Sequence, residues 1–384
     1  MDELSSPMMT LLRQEILKHG GVISFHRFMA LALYHPEHGY YMSGRVRVGQ
    51  GGDFVTAPEL TSLFGELLTL QCIEIWQRLG APDRFEVVEM GGGSGRLALD
   101  LLTTARRFPD FFAALALRMV ETSPDFTQRQ QHRLHEAGFG PDRVTWLTQL
   151  PARVEQGVIL GNEFLDALPV HCVERTAEGW RELGVGLAEG GRLETVPMPA
   201  GVSFVAARGL PPEAELPLGY RAEIGVDAGN WMAALGQVLG RGVVLMIDYG
   251  EVGRDHFSPR RAAGTLVGHR NGERIDDPLS WPGEMDLTAH VDFSAMARAG
   301  VEGGLEVLGL TTQGWFLMGL GILERVEMLS RRLEPAAVEG LRQVIMRLLL
   351  PDEMGERFKV LAMGRGVDAG VLSGFRLNDQ RHRL

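Results

Sequence analysis

A glycine-rich turn constrains the fold of this chain more than any other sequence feature. The apolar run Phe85–Met90 predicts a β-strand, and it leads through Gly91-Gly92-Gly93-Ser94-Gly95 into a helical pattern that begins at Arg96. Glycine adopts positive φ angles at little cost and lets a ligand approach the main chain closely. The turn therefore predicts an α/β sheet with a ligand at the carboxyl end of this strand.

The spacing of the glycines separates the ligands that use such a turn. A dinucleotide fingerprint requires GxGxxG, but the sixth position from Gly91 is Arg96. The chain contains no P-loop string, and Ser94 does not meet the G-x-S-x-G pattern of a hydrolase. The spacing that is met is GxGxG preceded by Glu89, which suits S-adenosylmethionine because this ligand has no pyrophosphate. Glu121, after the next predicted strand, is placed to accept both ribose hydroxyls.

Alternation of strands and helices predicts the rest of the fold. Further strands are expected at Leu115–Val120, Val144–Leu147, 157–161 and 242–248, in a parallel sheet with helices on both faces. We expect a helical N-terminal region at 1–80 that contains a glycine-rich loop, followed by the main domain at 81–384. A small β insertion around 172–230 carries a hairpin, and the C-terminal part is largely helical.

Composition excludes several classes of function. Acidic residues exceed basic residues by 11, which disfavours nucleic-acid binding. The two cysteines, Cys72 and Cys172, lack metal-ligand spacing and suit a reducing compartment. The first residues are acidic and lack an apolar leader, and the run 315–323 is about half the length of a membrane span. We therefore expect a cytoplasmic protein without membrane insertion or a metal.

Several longer motifs carry a family resemblance. They are Gly39-Tyr40-Tyr41, Gly52-Asp53-Phe54-Val55-Thr56-Ala57-Pro58-Glu59-Leu60, Phe64-Gly65-Glu66-Leu67, the Gly91 turn, Gly161-Asn162-Glu163-Phe164-Leu165-Asp166-Ala167-Leu168-Pro169-Val170, Ile247-Asp248-Tyr249-Gly250, Asp286-Leu287-Thr288-Ala289-His290-Val291-Asp292-Phe293, Thr312-Gln313-Gly314 and Met354-Gly355-Glu356-Arg357-Phe358-Lys359-Val360-Leu361. With these motifs the chain resembles the MidA-like family of class I S-adenosylmethionine-dependent methyltransferases.

The resemblance covers most of the chain and implies a Rossmann-like class I methyltransferase sheet. Mitochondrial members of the family assist complex I assembly and are assigned protein arginine methylation. Members usually carry Gly-Pro-Gly-Arg-Gly where this chain has Gly91-Gly92-Gly93-Ser94-Gly95. The three key glycines are kept, and the loop arginine is replaced.

The motifs and the resemblance together assign the cofactor site. The resemblance implies that the loop of residues 39–56 covers S-adenosylmethionine. The expected cofactor-binding residues are Asp53, Thr56, Pro58, Glu59, Glu89, Gly91, Gly93, Gly95, Glu121 and Asn162. Thr56 and Glu59 also fit a capping box at the start of a helix, which is a purely structural alternative.

Acidic residues after the fourth strand are the catalytic candidates. A guanidinium nucleophile needs carboxylates that hold its charge and direct the attacking nitrogen. Glu163 and Asp166 are three residues apart and would share a face if a helix began there. Alternatively, Asn162 and Asp166 cap a helix. His290 is a candidate proton acceptor, or a structural histidine.

Three functions remain open at this stage. The first is methylation of an arginine in a protein, for which the resemblance suggests a subunit of a respiratory complex. The second is methylation of the nitrogen or oxygen of a small molecule. The third is a cofactor-binding assembly factor with little turnover.

Overall fold

The structure is a computed structural model that describes residues 6–49, 51–53, 55–199, 210, 215–368 and 370–384. Gln50 and Phe54 of the predicted glycine-rich loop, and residues 200–209 and 211–214 of the predicted insertion, lie outside these ranges.

The described residues form helices and strands that alternate through much of the chain. The helices are α1 Pro7–Lys18, α2 Phe25–Tyr34, α3 Ala57–Leu60, α4 Ser62–Arg78, α5 Arg96–Ala105, α6 Pro109–Ala114, α7 Pro124–Glu136, α8 Val226–Val238, α9 Gly253–His256, α10 Phe293–Glu302, α11 Gln313–Gly319, α12 Ile322–Ser330 and α13 Pro335–Leu349. The strands are β1 Val22–Ser24, β2 Phe85–Met90, β3 Leu115–Val120, β4 Val144–Leu147, β5 Val154–Asn162, β6 His171–Thr176, β7 Gly179–Leu187, β8 Leu193–Pro197, β9 Arg221–Ile224, β10 Leu239–Glu251, β11 Val267–Arg270, β12 Glu273–Ile275, β13 Asp286–Thr288, β14 Val291–Asp292, β15 Glu306–Thr312 and β16 Phe358–Arg365.

The chain forms two compact units, and each is assembled from three segments. The first unit contains the described residues of Met1–Phe54, Leu165–Asn230 and Val252–Ala295. The second unit contains those of Val55–Phe164, Trp231–Glu251 and Met296–Leu384. This division differs from the expected boundary at residue 80, because residues near the N-terminus pair with the insertion: Ile23 of β1 lies opposite Val185 of β7.

A mixed sheet forms the centre of the second unit. Seven of its described strands follow the order β15-β16-β10-β5-β2-β3-β4. The strands from β10 to β4 pair in parallel, whereas β16 pairs antiparallel with both of its neighbours, β10 and β15. Every residue of β2 is buried, as expected for a strand covered on both faces. The α/β prediction is confirmed, and β2, β3 and β4 have the predicted bounds.

The carboxyl ends of the parallel strands place the site residues of the second unit at one edge. Met90, the last residue of β2, lies opposite Val120 of β3 and Gly161 of β5. The glycine turn, Glu121 and Asn162 follow these three residues and therefore emerge on neighbouring strands at the same edge. Binding sites of open α/β sheets occupy this edge.

Two smaller sheets organise the first unit. One follows the order β1-β7-β6-β9, with β8 paired to β7, and the other follows β12-β11-β13. The predicted hairpin is confirmed: β7 and β8 are antiparallel, and Gly190 and Gly191 turn between them with φ angles of 88° and 78°. Val173, Tyr220 and Phe257 belong to a small apolar core in this unit.

Candidate functional site

The glycine turn has the backbone geometry that its sequence predicts. Gly91, Gly93 and Gly95 have φ angles of 62°, 49° and 77°, which L side chains rarely adopt. The turn is fixed by the Gly91 amide, which donates to the Val120 carbonyl at 3.0 Å. A Cβ at Gly93 would meet no heavy atom within 4 Å, whereas one at Gly95 would contact Gln130 at 3.1 Å. The main chain is therefore open to a ligand at Gly93 and packed at the helix start.

Glu121 is oriented by hydrogen bonds that tie it to the turn. It follows β3, is 8% exposed, and accepts from the Ser123 amide at 2.9 Å. Gln130 of α7 donates to Glu121 Oε2 at 3.1 Å and to the Gly93 carbonyl at 2.9 Å. Trp146 Nε1 donates to Gln130 Oε1 at 3.0 Å and so sets the orientation of the amide. Gln130 is not among the residues predicted from the sequence, although the sequence places it in a helix shortly after Glu121.

Glu89 and Glu121 form a buried pair of carboxylates. Burial, together with the negative charge of Glu121, raises the pKa of Glu89 to about 8. Burial also raises the pKa of Glu121, and the hydrogen bonds from Ser123 and Gln130 oppose this shift. Two acids with raised pKa values favour a ligand that brings positive charge and hydroxyl donors.

The segment before α4 does not form the capping box that is the structural alternative for Thr56 and Glu59. Thr56 precedes α3, but its side chain makes no capping hydrogen bond. Glu59 instead accepts a hydrogen bond from Ser94, and Arg133 of α7 donates to Ser94 Oγ at 3.1 Å. The structural alternative for these residues is therefore wrong, because Glu59 turns toward the glycine turn rather than back to Thr56. Pro58 is buried in the same short helix.

Arg133 of α7 brings a guanidinium group to the side chain of Ser94 in the glycine turn. Its Nη1 lies 3.9 Å from Glu59 Oε1 as well as within hydrogen-bonding distance of Ser94. The sequence could not show this, because Arg133 lies 39 residues after Ser94 and only the packing of α7 brings it back.

No helix begins at Asn162 or Glu163. Glu163 has a φ of 52°, which is strained for a residue with a Cβ, and its amide donates to the Ile247 carbonyl at 2.9 Å. The side chain of Asn162 donates to Glu163 Oε1 at 3.1 Å, and its own Oδ1 is buried without a partner among the described residues. The expectation of a helical face shared by Glu163 and Asp166, and the alternative of a helix cap, are both wrong, because Glu163 leaves the strand with a left-handed backbone.

The remaining predicted residues lie in the first unit. Asp166 is buried, and its carbonyl accepts from the Ala289 amide at 3.0 Å, so the segment that holds His290 lies beside it. The His290 amide donates to Thr265 Oγ1 at 3.1 Å. Asp53 accepts from two main-chain amides, Arg47 at 3.2 Å and Asn271 at 3.0 Å, and thereby holds its loop in place.

The first unit also contains a contact that sequence reasoning missed. The Tyr41 hydroxyl donates to Asp286 Oδ1 at 2.6 Å, and both residues lie in the motifs that carry the family resemblance. In the sequence, these two residues stand out only as members of motifs typical of the family, and nothing in their local spacing pairs them.

The residues of the second unit fit S-adenosylmethionine. The open main chain at Gly93 leaves space for the ligand, Glu121 is oriented to accept ribose hydroxyls, and Glu89 is a buried acid that a bound positive charge would ionise. The unpartnered Asn162 Oδ1 offers a further acceptor at the same edge of the sheet.

In the described part of the chain, none of the helices is long and apolar enough to cross a membrane. Within the same residues, no group of three or more histidine, cysteine or acidic side chains could hold a metal ion.

Sequence comparison identifies related proteins along most of the chain. Residues 67–311 match the model of the family described as "Putative S-adenosyl-L-methionine-dependent methyltransferase". The protein arginine methyltransferase NDUFAF7 homolog of Drosophila melanogaster is 31% identical over 95% of this chain and 86% of its own. Human NDUFAF7, also named a protein arginine methyltransferase, is 30% identical over 93% of this chain and 83% of its own.

Structural comparison extends the similarity to the whole fold. A protein of Burkholderia thailandensis, solved bound to S-adenosyl-homocysteine, matches 98% of this chain and 96% of its own, with a TM-score of 0.89 and 36% identity. A native crystal structure from the same organism matches with a TM-score of 0.87 and 35% identity.

The comparisons also correct one expectation. The Drosophila and human relatives are both named as mitochondrial proteins. The expectation of a cytoplasmic protein is therefore wrong: it relied on the composition of the first residues, which does not report where relatives of this kind reside.

Proposed function

Because this chain belongs to the family of S-adenosyl-L-methionine-dependent methyltransferases, we propose that it N-methylates an arginine side chain of a protein. The family assignment makes the chain an enzyme with S-adenosylmethionine as its cofactor. The arginine acceptor is supported by the names of the curated relatives. We further propose a subunit of a respiratory complex as the first acceptor to test, in line with the resemblance to mitochondrial members of the MidA-like family.

The position of Glu163 is the observation that carries the proposal. Gly161, two residues earlier, pairs with Met90, so Glu163 leaves the sheet on the strand next to the glycine turn. Phe164 lies beside the turn, since a Cβ at Gly91 would be 3.2 Å from its ring. An acidic side chain at this position suits a cationic methyl acceptor, because it can hold a guanidinium group and direct one nitrogen.

Different residues of this chain would bind the methyl donor and the methyl acceptor. When bound, S-adenosylmethionine supplies a methyl group activated by a positive sulfur. Glu121 and the main chain at Gly93 would hold the donor, and Glu89 would compensate its positive charge. Glu163 orients the guanidinium nitrogen for in-line attack, so that positioning supplies much of the catalysis. Asp166 and His290 are our candidates for further contact with the acceptor and for accepting its proton.

Isothermal titration of the purified protein tests the cofactor half of the proposal. We expect binding of S-adenosylmethionine and none of NAD or ATP. Glu121→Ala should weaken this binding by about ten- to a hundredfold, because it removes hydrogen bonds to a charged group. Glu136→Ala, which changes an exposed acid on α7, is the matched control and should bind like the wild type. Equal binding by both variants would contradict the role of Glu121.

Transfer of a labelled methyl group tests the acceptor. The wild type should label arginine in an extract of respiratory-complex subunits, and hydrolysis of the product should yield methylarginine. Glu163→Gln should lower the rate at least tenfold without changing the affinity for S-adenosylmethionine. Glu155→Gln, on the exposed start of the same strand, should keep the full rate. Label that appears only in small molecules would overturn the proposal.

A further inference from the structure

Helix α13 of the second unit is long but covered on one side only. Within Pro335–Leu349, the buried residues are Ile345 and Leu348. The half-buried residues of the helix lie on the same side as these two; they are Val338, Leu341, Val344 and Leu349. The helix therefore packs against its own unit through one face and leaves the opposite face to solvent.

The segment that contains α12 and α13 exposes large apolar side chains. Met346 is 54% exposed, and Leu350, directly after α13, is 42% exposed. Leu323, Met328 and Leu333, which precede α13 in the chain, are 53%, 51% and 42% exposed. A single exposed apolar residue is ordinary, but a group of them along one short segment is typical of an interaction surface.

The solvent side of α13 carries a regular row of residues. We name as the outer face of α13 the exposed residues Ala336, Glu339, Gly340, Gln343, Met346, Arg347 and Leu350. Their spacing of three and four places them along one side of the helix, opposite Ile345 and Leu348. The small residues stand at the start of this row, and the large apolar ones stand at its end. A Cβ at Gly340 would meet no heavy atom within 4 Å, so there is space above the helix at this point.

This order of residues is self-complementary when a second α13 crosses in the antiparallel direction. With the crossing centred on Gln343, Gly340 would face Met346 of the second copy, and Glu339 would face Arg347. Such a pairing has a two-fold axis, so each contact occurs twice. Large side chains would then fill the space above small ones, and opposite charges would meet. A parallel crossing would instead place Glu339 against its own copy.

The local charge also favours a second copy of this chain. The whole chain has a net charge of −11, so two copies repel each other over most of their surface. Residues 322–350, in contrast, contain five arginines and four glutamates. Glu339 lies 3.9 Å from Arg342, but the two side chains are 62% and 67% exposed, so this surface pair contributes little stability.

We propose that this chain forms a two-fold symmetric dimer through the outer face of α13, with the two helices antiparallel about Gln343. The dimer does not depend on the identity of the methyl acceptor. One pair of helices of this length buries less surface than the roughly 1,600 Å² of a standard stable interface. We therefore expect a dissociation constant in the micromolar range.

Exchange of charges across the outer face tests both the dimer and its direction. Sedimentation equilibrium of the full chain, from about 1 to about 200 µM, measures the dissociation constant. Glu339→Arg and Arg347→Glu each place like charges opposite one another at both contacts, so each should raise the dissociation constant about tenfold or more. A one-to-one mixture of the two variants should regain dimers, because each variant supplies the charge that the other lacks. Glu136→Arg, an equal change of charge on the exposed side of α7, is the matched control.

Removal of an apolar side chain tests the packing of the same face. Met346→Gln keeps the length of the side chain but makes it polar, and it should also raise the dissociation constant about tenfold or more. Leu17→Gln, at a position of α1 that is 69% exposed, should dimerise like the wild type. All these positions are exposed, so each variant should keep the urea unfolding midpoint and the S-adenosylmethionine affinity of the wild-type monomer.

Three outcomes would overturn the proposal. A wild-type chain that stays monomeric over the whole concentration range would exclude the dimer. Dimerisation that is unchanged in Glu339→Arg and Met346→Gln would exclude the outer face of α13, and a mixture that does not regain dimers would exclude the antiparallel pairing. A monomeric chain in which Met346→Gln weakens binding of a protein acceptor would instead assign this face to another protein.

Discussion

At the scale of single residues, the buried pair Glu89 and Glu121 links stability to pH. The pKa of Glu89 is raised to about 8 in the folded chain, from an ordinary value of 4.5. The folded state therefore binds a proton that the unfolded state has released. The stabilising contribution is fully present below pH 4.5 and is lost as pH rises through 8.

Glu89→Gln should remove this dependence, because an amide keeps the shape of the protonated acid and does not titrate. We expect the free energy of unfolding of the wild type to fall between pH 5 and pH 9 by on the order of a few kcal/mol more than that of the variant. Urea unfolding at several pH values measures the difference. The same loss in both proteins would show that Glu89 titrates normally.

Glu163 provides a second test at this scale, through backbone strain. A left-handed conformation costs a residue with a Cβ roughly 1–2 kcal/mol relative to glycine. Glu163→Gly should therefore raise the free energy of unfolding by about 1 kcal/mol while abolishing methyl transfer. Ala81→Gly is the matched control: Ala81 has a φ of 51° and is exposed.

The control should show the same gain in stability and full activity. Denaturant unfolding and labelled methyl transfer measure the two properties on each variant. If Glu163→Gly were strongly destabilised, the side chain of Glu163 would hold the fold together rather than serve the reaction.

Residues of the site differed in how far the sequence predicted them. The glycine turn and Glu121 were predicted because strand, turn and strand end follow one another at short spacing. Gln130, Arg133 and the Tyr41–Asp286 contact were missed. Tyr41 and Asp286 are 245 residues apart, and no pattern of local spacing can pair them.

At the scale of elements, the buried strands were the most predictable. β2, β3 and β4 match the predicted bounds, because each is a short run rich in apolar and β-branched residues between turn residues. β5 and β10 extend beyond the predicted 157–161 and 242–248 into more polar residues, where pairing with neighbouring strands continues the ladder. The helix expected near Glu163 does not form, because tertiary contacts select a backbone that local spacing does not reveal.

A pair of glycines tests the packing of elements. Gly242 in β10 has a φ of 137°, and a Cβ there would overlap the main chain of Gly157 in β5. Gly242→Ala should lower the free energy of unfolding by about 3 kcal/mol, since the backbone atoms cannot move aside. Gly340 is exposed in α13 with open space around it, so Gly340→Ala should raise the free energy of unfolding by about 1 kcal/mol.

Thermal or urea unfolding of both variants measures these changes. Opposite signs are the expected result. A neutral Gly242→Ala would mean that β5 and β10 are further apart than their register implies.

At the scale of the whole molecule, ligand binding should stabilise the chain through the second unit. S-adenosylmethionine at about one hundred times its dissociation constant adds about 2.7 kcal/mol to the folded state. Hydrogen exchange should slow at 89–95 and 121–130, where the turn, Glu121 and Gln130 lie. The exposed helix α13 is an internal control in the same unit and should keep its local exchange rates. Unchanged exchange in the turn would contradict its assignment as the donor site.

The sequence by itself determined the α/β class, the central strands, the glycine turn and the cofactor, because each depends on residues that are close along the chain. The tertiary structure alone decided which distant residues meet. It pairs β1 with β7 and gives Glu163 a left-handed backbone. It also brings Arg133 within hydrogen-bonding distance of Ser94, and Tyr41 within hydrogen-bonding distance of Asp286. The physical reason is that apolar periodicity and glycine geometry are local properties, whereas the partner of a buried polar group is chosen by the packing of the whole chain.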